Sequence, residues 1–304
     1  MAFFKRIFLF FAVNILVVTV ISILLHLFNV QPYLQEHGLN YENLAIFCLI
    51  WGFGGALISL AFSRIMAKWM MGVHVIDPHT NDPALRRLLE VVYRLSRAAD
   101  LSEMPEVGVY NSPEVNAFAT GPSCRRSLIA VSSGLLHRVS PQELEGVIGH
   151  EVSHIVNGDM VTMTIIQGVI NSFVMFLSRV LAFVFSGMGR EKSSNTALYN
   201  MLIFLFQCLF MSLGFMVIAA YSRLREFKAD RGGARLAGRE KMIAALEALQ
   251  KVTQIHDSRV EQPAFQALKI SNPKGWGLFK LFSTHPSLEA RIQRLQEEKA
   301  SLFH

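Results

Sequence analysis

His150-Glu151-Val152-Ser153-His154 sets two imidazoles four residues apart, with a carboxylate directly after the first. On a helix, positions i and i+4 stand one above the other, so both rings can converge on one cation. Glu151 projects about a quarter-turn away, which aims it past the cation at a bound water. Zinc lowers the pKa of such a water, and the carboxylate takes its proton as it attacks a carbonyl carbon. The chemistry is therefore metal-assisted hydrolysis.

A catalytic zinc needs a third protein ligand and one open position. The metzincin continuation would require Gly at 157 and His at 160; the chain has Asn157 and Met160, which excludes that class. Between Met160 and Arg225 the one acidic residue is Glu191. The next is Glu226 in "SRLREFKAD", with Asp230 four residues later on the same helical face. If two antiparallel spans separate the motifs, their ends bring Glu226 to His150 and His154, and Asp230 can accept from a ligand imidazole N–H. Asp159 is a weaker third-ligand candidate, since it follows Asn157-Gly158 and is more simply a helix cap.

The elements that hold these residues are legible in part. Ser140-Pro141-Gln142-Glu143 has the capping-box pattern and starts the helix that carries His150; Gly158 stops it. Asp82-Pro83 opens a helix to about Ala99 with Leu88, Val91, Val92 and Leu95 on one face. Glu106 to Tyr110 and Ser127 to Val131 read as strands. The fourth apolar run continues as helix through Arg235, and amphipathic helices are expected near Arg239 to Thr253 and Pro286 to Leu302.

Four apolar runs, Ile7 to Phe28, Leu44 to Met66, Val161 to Met188 and Leu198 to Tyr221, approach or exceed the roughly 20 residues that cross a bilayer. They explain why the 304 residues are 52% hydrophobic and only 17% charged. The first is too long for a signal-peptide core and lacks a cleavage site, so it reads as a retained span. The net charge of +6 is mostly topological. Lys5, Arg6, Arg64, Lys68, Arg223, Arg225, Lys228 and Arg231 flank the spans on one side, while Gln31 to Asn43 has no Lys or Arg. This distribution places both termini and the polar segments in the cytoplasm, against Arg190 and Lys192 in the opposite loop, and argues against a nucleic-acid partner. Cys48, Cys124 and Cys208 have neither metal-motif nor disulfide spacing. Gly52, Gly54 and Gly55 suggest close helix packing in the second span.

The fold class expected is a mainly α membrane protein: four transmembrane helices and a helix-dominated α+β domain. Residues 1–66 form two spans, 67–160 the first part of the cytoplasmic domain, 161–221 a transmembrane hairpin and 222–304 the second part of the domain. Two other readings are weaker. A protease with its motif inside a span would bury Gln142, Glu143, Glu145, Asn157 and Asp159 in lipid at high cost. In the non-enzymatic reading, a transporter would want paired intramembrane charges or broken half-helices and would leave the histidine motif unexplained, and a catalytically dead scaffold would not need every expected residue to be present.

Taken together, "HEVSHIVNGD", "SRLREFKAD", "NAFATG" and the terminal "THPSLEARIQRL" resemble the HtpX family of bacterial membrane metalloproteases, gluzincin-type enzymes related to the CAAX prenyl endopeptidases. The resemblance covers nearly the whole chain. It implies one zinc per chain held by His150, His154 and Glu226, with Glu151 as general base. It also implies a catalytic domain on the cytoplasmic side of the bacterial inner membrane, with misfolded membrane proteins as substrates in a stress response. Asn116 and Ala117 would present backbone groups to an extended substrate. His285, next to Pro286, would stabilise the oxyanion.

Overall fold

The computed structural model describes residues 40–187, 196–257 and 283–300. The expected span Ile7 to Phe28 and the loop with Arg190, Glu191 and Lys192 lie outside the described residues. Three helices among those described are long and apolar enough to cross a membrane. They are α1 (Tyr41–Met70), α5 (Asp159–Ser186) and α6 (Thr196–Ala237), with mean hydropathies of 2.2, 1.9 and 2.4 over their most apolar stretches. The first contains the second of the four apolar runs, so three of the four expected spans coincide with helices among the described residues.

The chain divides into two compact units, Met1–Ser59 with Thr162–Ile218, and Leu60–Val161 with Ala219–His304. In the first unit, Cys48 of α1 packs with Phe176, Val180 and Phe183 of α5. A side chain at Gly52 would overlap Ser172, and one at Gly168 would overlap the Phe53 ring, so the two helices approach where they carry small residues. Gly54 and Gly55 have nothing near them, so only Gly52 of the three serves close packing. Ser172 Oγ donates to the Gly168 carbonyl at 2.8 Å, which satisfies a buried hydroxyl inside its own helix.

The second unit is built on a four-stranded sheet in the order β1-β2-β4-β3. β1 (His74–Val75) is antiparallel to β2 (Glu106–Tyr110), β2 is parallel to β4 (Arg126–Ser132), and β3 (Ala117–Ser123) is antiparallel to β4 with Ala117 opposite Val131. β3 was not expected as a strand. Its sequence AFATGPS is poor in β-branched residues and contains Gly and Pro, which an edge position tolerates.

α2 (Pro83–Ala98) begins at Asp82, whose carboxylate accepts from Ala84 N at 2.8 Å. It buries Leu88, Leu89, Val91, Val92 and Leu95 with Ile129 and Val131 of β4. The short α3 (Ser133–Arg138) follows β4 directly. α4 (Pro141–Asn157) adds Val147, Ile148, Val152 and Ile155 to the same core. Full burial of each such side chain is worth about 1.5–3 kcal/mol before conformational entropy. α7 (Arg239–Asp257) crosses α4 at Gly146, where a Cβ would overlap the Lys241 carbonyl. α8 (Leu288–Ala300) docks on α7 through Leu295, which packs with Met242 and Leu246.

Candidate metal centre

α4 starts with a complete capping box. Ser140 Oγ accepts from Glu143 N at 3.3 Å, and Glu143 Oε2 accepts from Ser140 N at 2.6 Å. It ends at Gly158, in the left-handed region at φ 63°, where glycine avoids a Cβ penalty. Between these ends every residue from Gly146 to Ile155 is buried, His150, Glu151 and His154 included.

α6 reaches α4 because Gly232 and Gly233 let it. A Cβ at Gly233 would lie 2.9 Å from the backbone nitrogen of His150, and one at Gly232 would overlap Ser153 Oγ. That close crossing brings Glu226 and Asp230 beside the two histidines. The His150 and His154 Nε2 atoms are 3.1 Å apart. Glu226 Oε2 lies 3.5 Å from the first, and Oε1 lies 3.4 Å from the second.

These three groups are the metal-ligand cluster found among the described residues. Tetrahedral bonds of about 2.0–2.1 Å set ligand atoms about 3.3 Å apart, so all three separations suit one zinc-sized ion. Glu226 Oε1 is also buried without a hydrogen bond, which a cation bound between the rings would remedy. The donor set, two imidazoles and one carboxylate, is that of a hydrolytic zinc site with one position left over.

Each imidazole is held from behind. His150 Nδ1 is 2.9 Å from Asp230 Oδ1, and His154 Nδ1 is 2.6 Å from Asp159 Oδ2. Both carboxylates accept the Nδ1 proton and turn Nε2 toward the common centre. Asp159 thus does not face the ligand position considered for it; it orients His154. Burial works against charge on the His154 ring, but Asp159 and Glu226 outweigh it and raise its pKa to about 9. Burial also opposes charge at His150, where Asp230 and Glu226 again prevail and raise the pKa.

Glu151 is 8% exposed. Its burial raises the carboxyl pKa above the usual range, against the lowering effect of His150, His154 and a hydrogen bond from the Ala119 backbone. The edge strand β3 therefore runs close to the prospective base at Ala119. At Asn116, by contrast, both backbone groups are already engaged. Its N–H donates to Ser132 Oγ at 3.1 Å and its carbonyl accepts from Ser132 N at 2.9 Å. The Asn116 side chain is exposed, and Ala117 pairs with Val131. His285 Nδ1 lies 3.0 Å from Glu226 Oε2 on a side chain that is 62% exposed.

One charged residue was not anticipated. Arg291 of α8 is 7% exposed and forks onto Asp230, Nε to Oδ2 at 2.7 Å and Nη2 to Oδ1 at 2.6 Å. It also lies 3.6 Å from Glu226 Oε2. Nothing in the spacing of "LEARIQRL" distinguishes it from a solvated arginine. Gly232-Gly233, separated from Asp230 by Arg231 alone, was the available signal for the close crossing.

A cavity of about 1040 Å³ lies elsewhere, between α2 and the start of α4, lined by Arg86, Arg87, Arg94 and Arg97 among others and by none of the site residues. Here the convergence of ligand atoms, and not cavity volume, marks the site.

The model of peptidase family M48 matches residues 82–299, a stretch that includes every one of these side chains. The chain belongs to peptidase family M48. A Protease HtpX homolog of Bacillus velezensis is 51% identical over 298 residues, covering 96% of this chain and 99% of its own length. The Bacillus subtilis homolog is 50% identical over 302 residues, and Protease HtpX of Thioalkalivibrio sulfidiphilus is 47% identical over 295. The crystal structure of S. mikatae Ste24p matches with a TM-score of 0.60 at 16% identity. That match covers 94% of this chain and 66% of Ste24p, and it is a likeness of fold. With its apolar helices, this M48 peptidase is a multi-pass membrane metalloprotease that acts on protein substrates.

Proposed function

We propose that this M48 peptidase is an endopeptidase with one zinc per chain, hydrolysing misfolded or damaged membrane proteins at the cytoplasmic surface of the bacterial inner membrane. The observation that carries the reading is the cluster of His150, His154 and Glu226, with Glu151 on the same helix turn, in a chain with membrane-crossing helices. His150 and His154 would hold the metal through Nε2 and Glu226 through its carboxylate. When bound, zinc supplies Lewis-acid polarisation and acidifies a water.

Glu151 takes the water's proton on its carboxylate and passes it to the leaving amide nitrogen as the C–N bond breaks. A pKa raised toward the operating pH suits a group that accepts and then donates. His285 donates a hydrogen bond to the oxygen of the scissile carbonyl, with its ring placed by Glu226. An extended substrate adds a strand along the outer edge of β3, meeting Ala117 to Ala119 and the Asn116 side-chain amide. Ile7 to Phe28 is the first of four spans, and 67–160 and 222–304 form one catalytic domain split by the hairpin 161–221. What supports the cytoplasmic side is the Lys and Arg distribution.

The test is Glu151→Gln, compared with wild type for zinc content and for cleavage of an unfolded membrane protein in proteoliposomes. Zinc near one equivalent in both, with cleavage lost only in the variant, is expected. Continued cleavage by the variant would remove Glu151 from its role.

A further inference from the structure

We propose that Arg291 is a positioning residue, one that sets metal affinity through Asp230 and so makes docking of α8 part of building the metal site. The inference rests on the zinc reading above and deepens it. Four residues of α6, Arg223, Glu226, Phe227 and Asp230, fall on one helical stripe at i, i+3, i+4 and i+7. All four meet the segment that begins at Ser283. Arg223 Nη1 donates to the Ser283 carbonyl at 2.6 Å, His285 reaches Glu226, Arg294 stacks 4.6 Å from the Phe227 ring centre, and Arg291 forks onto Asp230. The same stripe supplies the third ligand candidate and the carboxylate behind His150. The site is therefore closed by α8 as well as by α4 and α6.

Charge makes the fork consequential. Glu151, Glu226, Asp159 and Asp230 are all buried. A buried carboxylate without a partner loses its charge or its place. Arg291 lies within 3.6 Å of two of the four, and its rigid planar fork fixes both oxygens of Asp230. Asp230 lies 2.9 Å from His150 Nδ1, which Arg291 Nη2 also approaches at 3.4 Å, and would keep Nε2 aimed at a bound metal. Loss of a group that orients a ligand in this way weakens metal binding about 10–100-fold. By linkage, whatever docks α8 more firmly raises metal affinity, and bound metal holds α8 more firmly.

The experiment measures zinc affinity of the full chain in detergent by competition with a chromogenic chelator, with melting of the metal-free protein followed in parallel. The set is wild type, Arg291→Gln, Arg291→Lys, Asp230→Asn and the Arg291→Gln/Asp230→Asn pair. Asp230→Asn is expected to weaken zinc by about 10–100-fold, and Arg291→Gln by a measurable factor no larger than that. Arg291→Lys, which keeps charge but not the fork, should recover part of the loss, and the pair should bind no more weakly than Asp230→Asn alone. If Arg291→Gln does not fold, the loss is read from Arg291→Lys, where unchanged affinity overturns the inference. Wild-type affinity in Arg291→Gln, or losses that multiply in the pair, also overturn it. A wild-type chain that takes no zinc overturns the zinc reading and this inference together; a zinc-binding wild type with indifferent variants overturns this inference alone.

Discussion

Asp159 shows how a single residue can change its role when one φ angle changes. On an unbroken helix it would sit about 140° around the axis from His154, out of reach. Gly158, at φ 63°, breaks the helix, and beyond that break Asp159 Oδ2 lies 2.6 Å from His154 Nδ1. Spacing alone reveals the two histidines, and elimination of other acidic residues reveals Glu226. It names Asp159 only as a weaker ligand candidate or a cap and does not reveal its place behind His154, because that depends on a backbone conformation that any helix-ending glycine can adopt. Arg291 is hidden for a different reason: its importance lies in burial, which a polar helix sequence does not disclose. Asp159→Asn is expected to leave the fold intact, since an amide of the same shape can still accept a hydrogen bond. It should weaken zinc binding by about 10–100-fold, because a neutral acceptor supports the imidazole less. Isothermal titration of the metal-stripped protein checks this, and unchanged affinity would return Asp159 to the role of a helix cap.

The helices of the second unit were more legible than its edge strand. α4 carries its boundaries in its sequence, since Ser140-Pro141-Gln142-Glu143 and Gly158 act locally. β3 is specified by pairing with β4, so local composition says little about it. Packing between elements converges on Glu145, which joins three helices. Arg94 of α2 lies 2.8 Å from its Oε1, and Lys241 of α7 donates to its Oε2. Burial would raise the Glu145 carboxyl, but the bonds and charges of Lys241 and Arg94 more than reverse this and hold it below the usual carboxylate range. A depressed folded pKa gives stability that is fully present above the unfolded value, about 4.3, and lost as pH falls through the folded value. Because Arg94 is well exposed, the contribution is on the order of 1 kcal/mol or less. Glu145→Gln should therefore lower the melting temperature at pH 7, with the difference from wild type shrinking as pH falls below about 4.3 and gone only below the depressed folded pKa. A difference that persists unchanged at low pH would mean that packing, and not charge, is what Glu145 contributes.

At the scale of the whole chain, composition announces a membrane protein, while orientation depends on where a few basic residues fall. α1 has 30 residues, or about 45 Å of helix, more than the roughly 30 Å of hydrocarbon it has to cross. Its C-terminal end carries Arg64 and Lys68, which lie 3.5 and 2.8 Å from Glu106 Oε2 at the start of β2. These two charges are therefore structural ties to the sheet as well as topology signals, which lowers their weight as evidence for sidedness. The remaining weight rests on Arg223, Arg225, Lys228 and Arg231 and on the absence of Lys and Arg from Gln31 to Asn43. Single cysteines at Glu42, in the first turn of α1, and at Glu90 of α2, which follows α1 in the chain, are both exposed and report on sidedness when the three native cysteines are replaced. With the catalytic residues on the cytoplasmic side, a membrane-impermeant maleimide should label Glu42→Cys from outside the inner membrane and Glu90→Cys only in inverted vesicles. The opposite pattern would place the peptidase on the outer face. Its substrates would then have to be met after export, and zinc would have to come from outside the cytoplasm.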